Sequence, residues 1–242
     1  MKKSFLFILL LVVIKIFSQV APSQNTGLVK DPFFNNSNQK TETSKKVINK
    51  HADTFGVKVD QYQGNPVFSG HVVFEHQGSV LTADEVVFYQ KENFLKAIGN
   101  VVLTTSDGSK ITAQEMEYDG NTERGIARKN VVLTDPKQTI KTETLYYDKI
   151  PNTAYFNTGG TIYSNDGSVM FTKSATYYLN TKMIDFIGRS NIETDKYTIV
   201  SDNIRQNQNT GASDFSGPTT IRDKANLRNY VYTELGTYNS KT

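Results

Sequence analysis

Gly99-Asn100-Val101-Val102-Leu103 returns as Lys129-Asn130-Val131-Val132-Leu133, and Gly70-His71-Val72-Val73-Phe74 precedes both. Self-similarity at a fixed period is the signature of a repeat architecture, and it outranks any local reading. Carried onward, the register gives a column of Phe74, Leu103, Leu133, Ile162, Ile192 and Ile221, in steps of 29 or 30 residues. A second column runs Leu81, Ile111, Ile140, Phe171 and Ile199. A third runs Phe68, Ala97, Ala127, Phe156, Phe186 and Phe215, again stepping by 29 or 30. Three apolar columns sharing one period define about six units of about 30 residues.

Within a unit the apolar residues alternate with period 2, and Val, Ile, Thr, Tyr and Phe dominate. Turn signals separate the runs: Ser106-Asp107-Gly108, Asp119-Gly120-Asn121, Asp135-Pro136 and Asn165-Asp166-Gly167. No segment carries a helical stripe. The fold class is therefore all-β, each unit being about three short strands joined by tight turns. Stacked units bury their columns against their neighbours, in a quasi-one-dimensional architecture. The sixth unit stops short of its next third-column residue, expected just beyond Thr242, so the last edge is expected to be open.

The first residues set the compartment. Lys2 and Lys3 precede the apolar run Phe5–Ile14, which reads as a secretory signal peptide over 1–18 cleaved at Ser18/Gln19; an uncleaved membrane anchor is the alternative. The chain has no cysteine, which excludes both a lipid-modified N-terminus and a disulfide framework. Removing the leader takes away Lys2, Lys3 and Lys15, and the net charge falls from +3 to about 0. A general affinity for nucleic acid is thus not indicated. Residues 19–46 are rich in Asn, Ser, Thr, Gln and Lys, with Phe33 and Phe34 as the largest apolar residues, and read as a flexible polar lead-in. The repeat domain spans 47–242.

Catalytic patterns are missing. His71 and His76 stand five apart on a strand and face opposite ways, which suits no shared metal. Asp119 and Asp148 recur after Tyr118 and Tyr147 at strand ends, where Asx-turns account for them. There is no nucleophile elbow, phosphate loop or Cys/His cluster, so neither an enzyme nor a cofactor is expected. Tyr89, Tyr118, Tyr147 and Tyr178 form a near-column, read as structural phenols with the mouth of a groove as the sharper alternative. Lys110, Lys137, Lys141 and Lys173 read as solvated surface lysines, with head-group phosphates as the alternative.

The unit Gly70-His71-Val72-Val73-Phe74-Glu75-His76-Gln77-Gly78, then Leu81-Thr82-Ala83-Asp84 and Ala97-Ile98-Gly99-Asn100-Val101, resembles the OstA/LptA family of lipopolysaccharide-transport proteins in its Bacteroidetes form. Thr142-Glu143-Thr144-Leu145-Tyr146-Tyr147-Asp148, Ser201-Asp202 and Phe215-Ser216-Gly217-Pro218-Thr219 fit the same pattern, so the likeness covers about Val47 to Asn239. The resemblance implies an antiparallel β-jellyroll, or β-taco, whose V-shaped apolar interior shields lipid A acyl chains in the periplasm. It also implies edge-to-edge association with itself or with related β-jellyroll proteins of the transport machinery. The long lead-in and the short sixth unit depart from the pattern.

A continuous apolar trough covers acyl surface at roughly 25 cal/mol per Å² while letting the lipid slide. Phe74, Leu103, Leu133, Ile162 and Ile192 would floor it, with Leu81, Ile111, Ile140, Phe171, Ile199, Phe156 and Phe186 opposite. The plainer alternative is that the columns close on each other as a dry core. Leu133→Asp or Ile162→Asp is expected to weaken lipid binding without unfolding the stack. Rival functions are an exported structural or adhesive β-solenoid and, third, a parallel β-helix enzyme.

Overall fold

The computed structural model describes residues 28, 30–35 and 46–240; the leader, its cleavage point and most of the lead-in lie outside them. The described residues form one antiparallel sheet of sixteen strands. Two short strands, β1 (Ile48–His51) and β2 (Thr54–Val57), share the edge of β3 (Pro66–His76). There follow β4 (Ser79–Tyr89), β5 (Phe94–Thr104), β6 (Lys110–Asp119), β7 (Arg124–Thr134) and β8 (Gln138–Asp148). The fourth unit is broken into β9 (Thr153–Phe156), β10 (Gly160–Ser164), β11 (Val169–Thr172) and β12 (Ser174–Tyr178). The sheet ends with β13 (Met183–Glu193), β14 (Tyr197–Asn207), β15 (Ala212–Asp223) and β16 (Tyr230–Asn239).

Each unit is thus one out-and-back pair of long strands, not three short ones, because a single strand carries two of the apolar columns. The sixth unit has both its strands, β15 pairing with β16 from Ala212↔Asn239 to Arg222↔Tyr230. The third-column residue expected beyond Thr242 is not needed to complete it.

A bulge bends every pair of long strands at the same place. Ile98 pairs with Glu115 and Val101 with Ala113, so Gly99 and Asn100 stand opposite Gln114 alone. One extra residue on one strand is a β-bulge, which kinks the strand and deepens its twist. Gly99 and Asn100 have φ of +76° and +43°, and a Cβ on Gly99 would lie 2.5 Å from Asp84 Oδ2. Lys129 and Asn130 hold the same left-handed corner without a glycine, at +68° and +53°. Corners also fall at Gly70-His71, Gly159, Gly188 and Gly217, again 29 or 30 residues apart. They form a straight crease, and the sheet folds over on it into two arms.

The inner faces of the arms pack on each other in one continuous core. In the first arm, Leu81 pairs with both Phe74 and Leu103, Ile111 with Leu103 and Leu133, and Ile140 with Leu133 and Ile162. The second arm answers with Phe68, Val86, Ala97, Met116, Ala127, Leu145, Phe156, Ala175, Phe186, Ile204 and Phe215. Phe74 meets Phe68 and Phe88 edge-on across the fold, at 5.4 and 5.3 Å between ring centres.

The turns of the second arm are stitched in sequence. Asn93, Glu123, Asn152 and Lys182 adopt φ of +53°, +55°, +52° and +59°. Their carbonyls accept from the next turn: Gly120 N to Asn93 O at 2.8 Å, then Lys149 N to Glu123 O, Leu179 N to Asn152 O and Gln208 N to Lys182 O, each at 3.0 Å. This backbone ladder fixes the rise between units.

Part of the lead-in is docked, contrary to the flexible reading. Phe34, in a 3-10 turn over Pro32–Asn35, is 2% exposed and packs on the outer face of the second arm with Val67, Val87, Tyr89, Phe94 and Ile126. Phe33 meets Tyr146 edge-on, and Arg124 donates to the Phe33 carbonyl at 3.0 Å. Lys30–Asp119 at 2.6 Å and Asp31–Arg128 at 3.1 Å pin the segment on either side. Two adjacent aromatic rings with flanking charges suffice to anchor an otherwise polar stretch.

Candidate functional site: the interior between the arms

Among the described residues the interior is the continuous apolar surface that the repeat columns share. Phe74, Leu81, Leu103, Ile111, Leu133, Ile140, Phe156, Ile162, Phe186, Ile192 and Ile199 all line it, and all are buried. Phe171 does not. It is 46% exposed on the outer face, and its neighbour Met170, fully buried, pairs with Ile162 and Ile192 instead. Strand alternation decides this, since adjacent side chains point to opposite faces. With Met170 in place the second column steps 30, 29, 30 and 29, where Phe171 forced 31 and 28.

The tyrosine column shifts in the same way. Tyr118 and Tyr147 face inward, but their neighbours in register are Phe88 and Tyr177, while Tyr89 belongs to the outer cluster under Phe34. Tyr178 follows Tyr177 and turns outward with a partly exposed ring. Burial pushes the phenols of Tyr118, Tyr147 and Tyr177 well above the ordinary tyrosine range, with nearby carboxylates adding to it. They remain protonated donors at the rim. Tyr118 shares a 2.7 Å hydrogen bond with His76 Nδ1, and the Tyr177 hydroxyl donates to Asp135 on the opposite arm.

Close to the crease the interior changes character along its length. Val72, Ala83, Val101, Ala113 and Val131 line the N-terminal half. Thr142, Thr172, Ser190, Ser201 and Thr219 replace them in the C-terminal half, all buried. Those hydroxyls are paired: Ser190 Oγ to Thr172 Oγ1 at 2.8 Å, Ser201 with Thr219 at 2.7 Å, and Thr142 Oγ1 to the Gly159 carbonyl at 2.7 Å. Buried hydroxyls satisfied in this way cost little, whereas unpaired ones are expensive.

The arms are closed on each other. With Leu133 and Ile162 fully buried, Leu133→Asp or Ile162→Asp would place a charge in a dry core and unfold the stack, which corrects the expectation that these variants report on binding alone.

The polar residues singled out from the sequence have structural partners. Asp119 Oδ1 accepts from Asn121 N at 2.8 Å and Thr122 N at 3.2 Å, and Asp148 Oδ1 from Ile150 N at 3.3 Å, the expected Asx-turns. Asp107 and Asp166 cap their Asp-Gly-Ser turns through Ser109 N and Ser168 N. His71 lies at the crease on Asp53, 2.8 Å away, while His76 is buried at the rim. Among the described residues no group of three or more His, Asp or Glu is placed to hold a metal. Lys110 and Lys173 are exposed, Lys137 is half-buried in its turn, and Lys141 lies 5.1 Å over the ring of Tyr163. Among the same residues no helix is long and apolar enough to cross a membrane.

Fold and interior together define a repeat-built antiparallel β-jellyroll folded around an apolar interior. The sequence matches the family of OstA-like proteins over residues 44–202, about two thirds of the chain, and the protein belongs to that family. Among solved structures it is similar to LptH of Pseudomonas aeruginosa, the LptA-homologous periplasmic component of a lipopolysaccharide transport device. That match has 13% identity and a TM-score of 0.38, and covers 41% of this chain and 76% of the other. A weaker likeness, with 13% identity and a TM-score of 0.13, is to the TCP10 domain of Danio rerio CPAP, over 65% of this chain and 94% of that one. No curated protein matches.

Proposed function

We propose that this protein is a non-enzymatic lipopolysaccharide carrier of the periplasm, which shields acyl chains between its two arms and joins related β-jellyrolls edge to edge. One observation carries the reading: an inner row of aliphatic and aromatic side chains runs unbroken from Phe74 to Ile221. An acyl chain lying along such a row exchanges one apolar neighbour for the next, so no single contact holds it. Membership of the OstA-like family supports this reading, and so do the two strand edges, which no other described strand covers. At one of them Tyr230, Val231, Tyr232 and Leu235 of β16 are exposed; at the other, Ile48, Phe55 and Val57. An apolar strand edge of this kind is a template for another strand.

The purified chain without residues 1–18 is expected to bind lipopolysaccharide in a co-sedimentation or fluorescence assay, in competition with a fatty-acyl probe. An absence of binding to both ligands overturns the carrier reading. It favours an exported structural or adhesive β-protein with a permanently dry core, a reading to which the closed interior lends weight.

A further inference from the structure

The long open side of the fold, opposite the crease, is spanned by a row of polar contacts between turns of different arms. Near the N-terminal end Lys149 Nζ donates to the carbonyls of His76 and Gln77 at 3.2 and 3.1 Å, and Gln77 Nε2 donates to Glu123 Oε1 at 2.7 Å. In the middle Asn152 Nδ2 donates to Asp107 Oδ2 at 3.3 Å. Lys182 Nζ donates to Asp135 Oδ2 at 2.9 Å, and the Tyr177 hydroxyl donates to the same oxygen. Further on, Ser164 Oγ donates to Gln208 Oε1 at 2.8 Å. In each of these contacts one partner comes from a first-arm turn and the other from the second arm.

Resting on the carrier reading above, we propose that this seam is a lateral gate: the arms part along it to admit the acyl chains of an amphiphile, and Asp135, Tyr177 and Lys182 form its central latch. The argument is one of where the cost of opening resides. Inside the seam the arms meet mainly through apolar side chains, with a few buried polar groups such as Gln138 and Gln206 among them, and an acyl chain replaces the apolar contacts in kind. At the crease the strands are continuous, and the bulges supply the bend. The remaining cost lies in the seam, where opening must strip the fully buried Asp135 carboxylate of its Lys182 and Tyr177 donors and leave it only the amides of Lys137 and Gln138 in its own turn. The N-terminal end is a poor way in. Val47 is 4% exposed there, lies against Phe74, Leu95 and Leu103, and is held by its amide donating to Asn93 Oδ1 at 2.9 Å.

The chain has no cysteine, so introduced thiols are unique. Gln77→Cys with Glu123→Cys, and separately Ser164→Cys with Gln208→Cys, place a thiol on each side of the seam at partners that already touch. Each pair is bridged with a short reducible bis-methanethiosulfonate linker, and uptake of a fluorescent fatty-acyl probe and of lipopolysaccharide is timed before and after reduction. The bridged protein is expected to load at least tenfold more slowly, with the rate restored by reductant and the circular dichroism unchanged. Tyr177→Phe, which leaves the Lys182–Asp135 pair in place, is expected to load several-fold faster than wild type. Bridged protein that loads as fast as reduced protein overturns the gate while leaving the carrier reading intact. Unbridged wild type that takes up neither ligand overturns the carrier reading, and the gate with it.

Discussion

The two halves of the interior solve the same packing problem with different chemistry. Toward the N-terminus the layer beside the crease is Val72, Ala83, Val101, Ala113 and Val131, held by close packing alone. Toward the C-terminus it is Thr142, Thr172, Ser190, Ser201 and Thr219, held by hydroxyl-to-hydroxyl and hydroxyl-to-carbonyl bonds. The layer deeper in the first arm, from Phe74 to Ile221, stays apolar throughout. The repeat therefore specifies shape strictly, and chemistry only in that inner row. The outer faces differ too, since the docked Phe33-Phe34 segment buttresses the N-terminal strands alone.

The largest test of this contrast exchanges the two chemistries. Val101→Thr keeps the volume but sets a hydroxyl among Val72, Ala113 and Val131, and is expected to cost about 2 kcal/mol in urea unfolding, the order of an unsatisfied buried polar group. A change below about 0.5 kcal/mol would show that the N-terminal crease tolerates hydroxyls as readily as the C-terminal one.

Phe34→Ala comes next. A core phenylalanine is worth about 3–5 kcal/mol, but a terminal segment can detach, which caps the loss at its own docking free energy, about 1–2 kcal/mol. Proteolysis within residues 30–35 should accelerate and amide exchange should rise in β3 to β8. Exchange that rises equally in β13 to β15 would contradict the one-sided buttress.

In the C-terminal half, Ser201→Ala is expected to cost about 1 kcal/mol, and Ser201→Ala with Thr219→Val less than the sum of the two single changes, since the two hydroxyls share one bond. A double variant that costs the full sum would mean that each hydroxyl is held by its own carbonyl, Asn203 O for Ser201 and Gly217 O for Thr219, and not by the other.

The smallest effect lies at the crease, where Asp53 faces His71. The hydrogen bond to His71 lowers the Asp53 carboxyl from 3.8, and the same bond raises the His71 imidazole from 6.5. The histidine's contribution is complete below about 6.5 and is lost as pH rises through its raised value. The carboxylate's is complete above about 3.8 and is lost as pH falls through its lowered value. The pair thus acts fully between about pH 4 and 6.5, and solvent screening keeps its effect on stability small. The check is an NMR titration: His71 should titrate above 6.5 and return toward it in Asp53→Asn.

The architecture was legible because a period of about 30 residues survives in several apolar columns at once, and period-2 alternation marks strands. Phe171 was misplaced because Met170 beside it is also apolar, although the uneven steps of 31 and 28 were there to be read. The crease was hidden because its corner glycines look like those of the turns, and one corner, Lys129-Asn130, has no glycine at all. The docked Phe33-Phe34 lies outside the period, and the polar composition around it hides the short apolar stretch that begins at Leu28. The seam was the least legible of all, since Lys149, Asp135 and Lys182 acquire meaning only when two arms distant in sequence close on each other.

The turn-to-turn ladder of the second arm has a consequence for how such proteins can change size. Because each unit contributes one left-handed carbonyl and receives one amide from the next, every internal unit presents the same connector at both sides. Two paired strands rise by about 10 Å, so duplicating or deleting one 29- or 30-residue unit would lengthen or shorten the molecule by that increment and create no new kind of contact. The protein is in this sense a ruler with fixed graduations. Its length can change in whole units by unequal recombination between repeats.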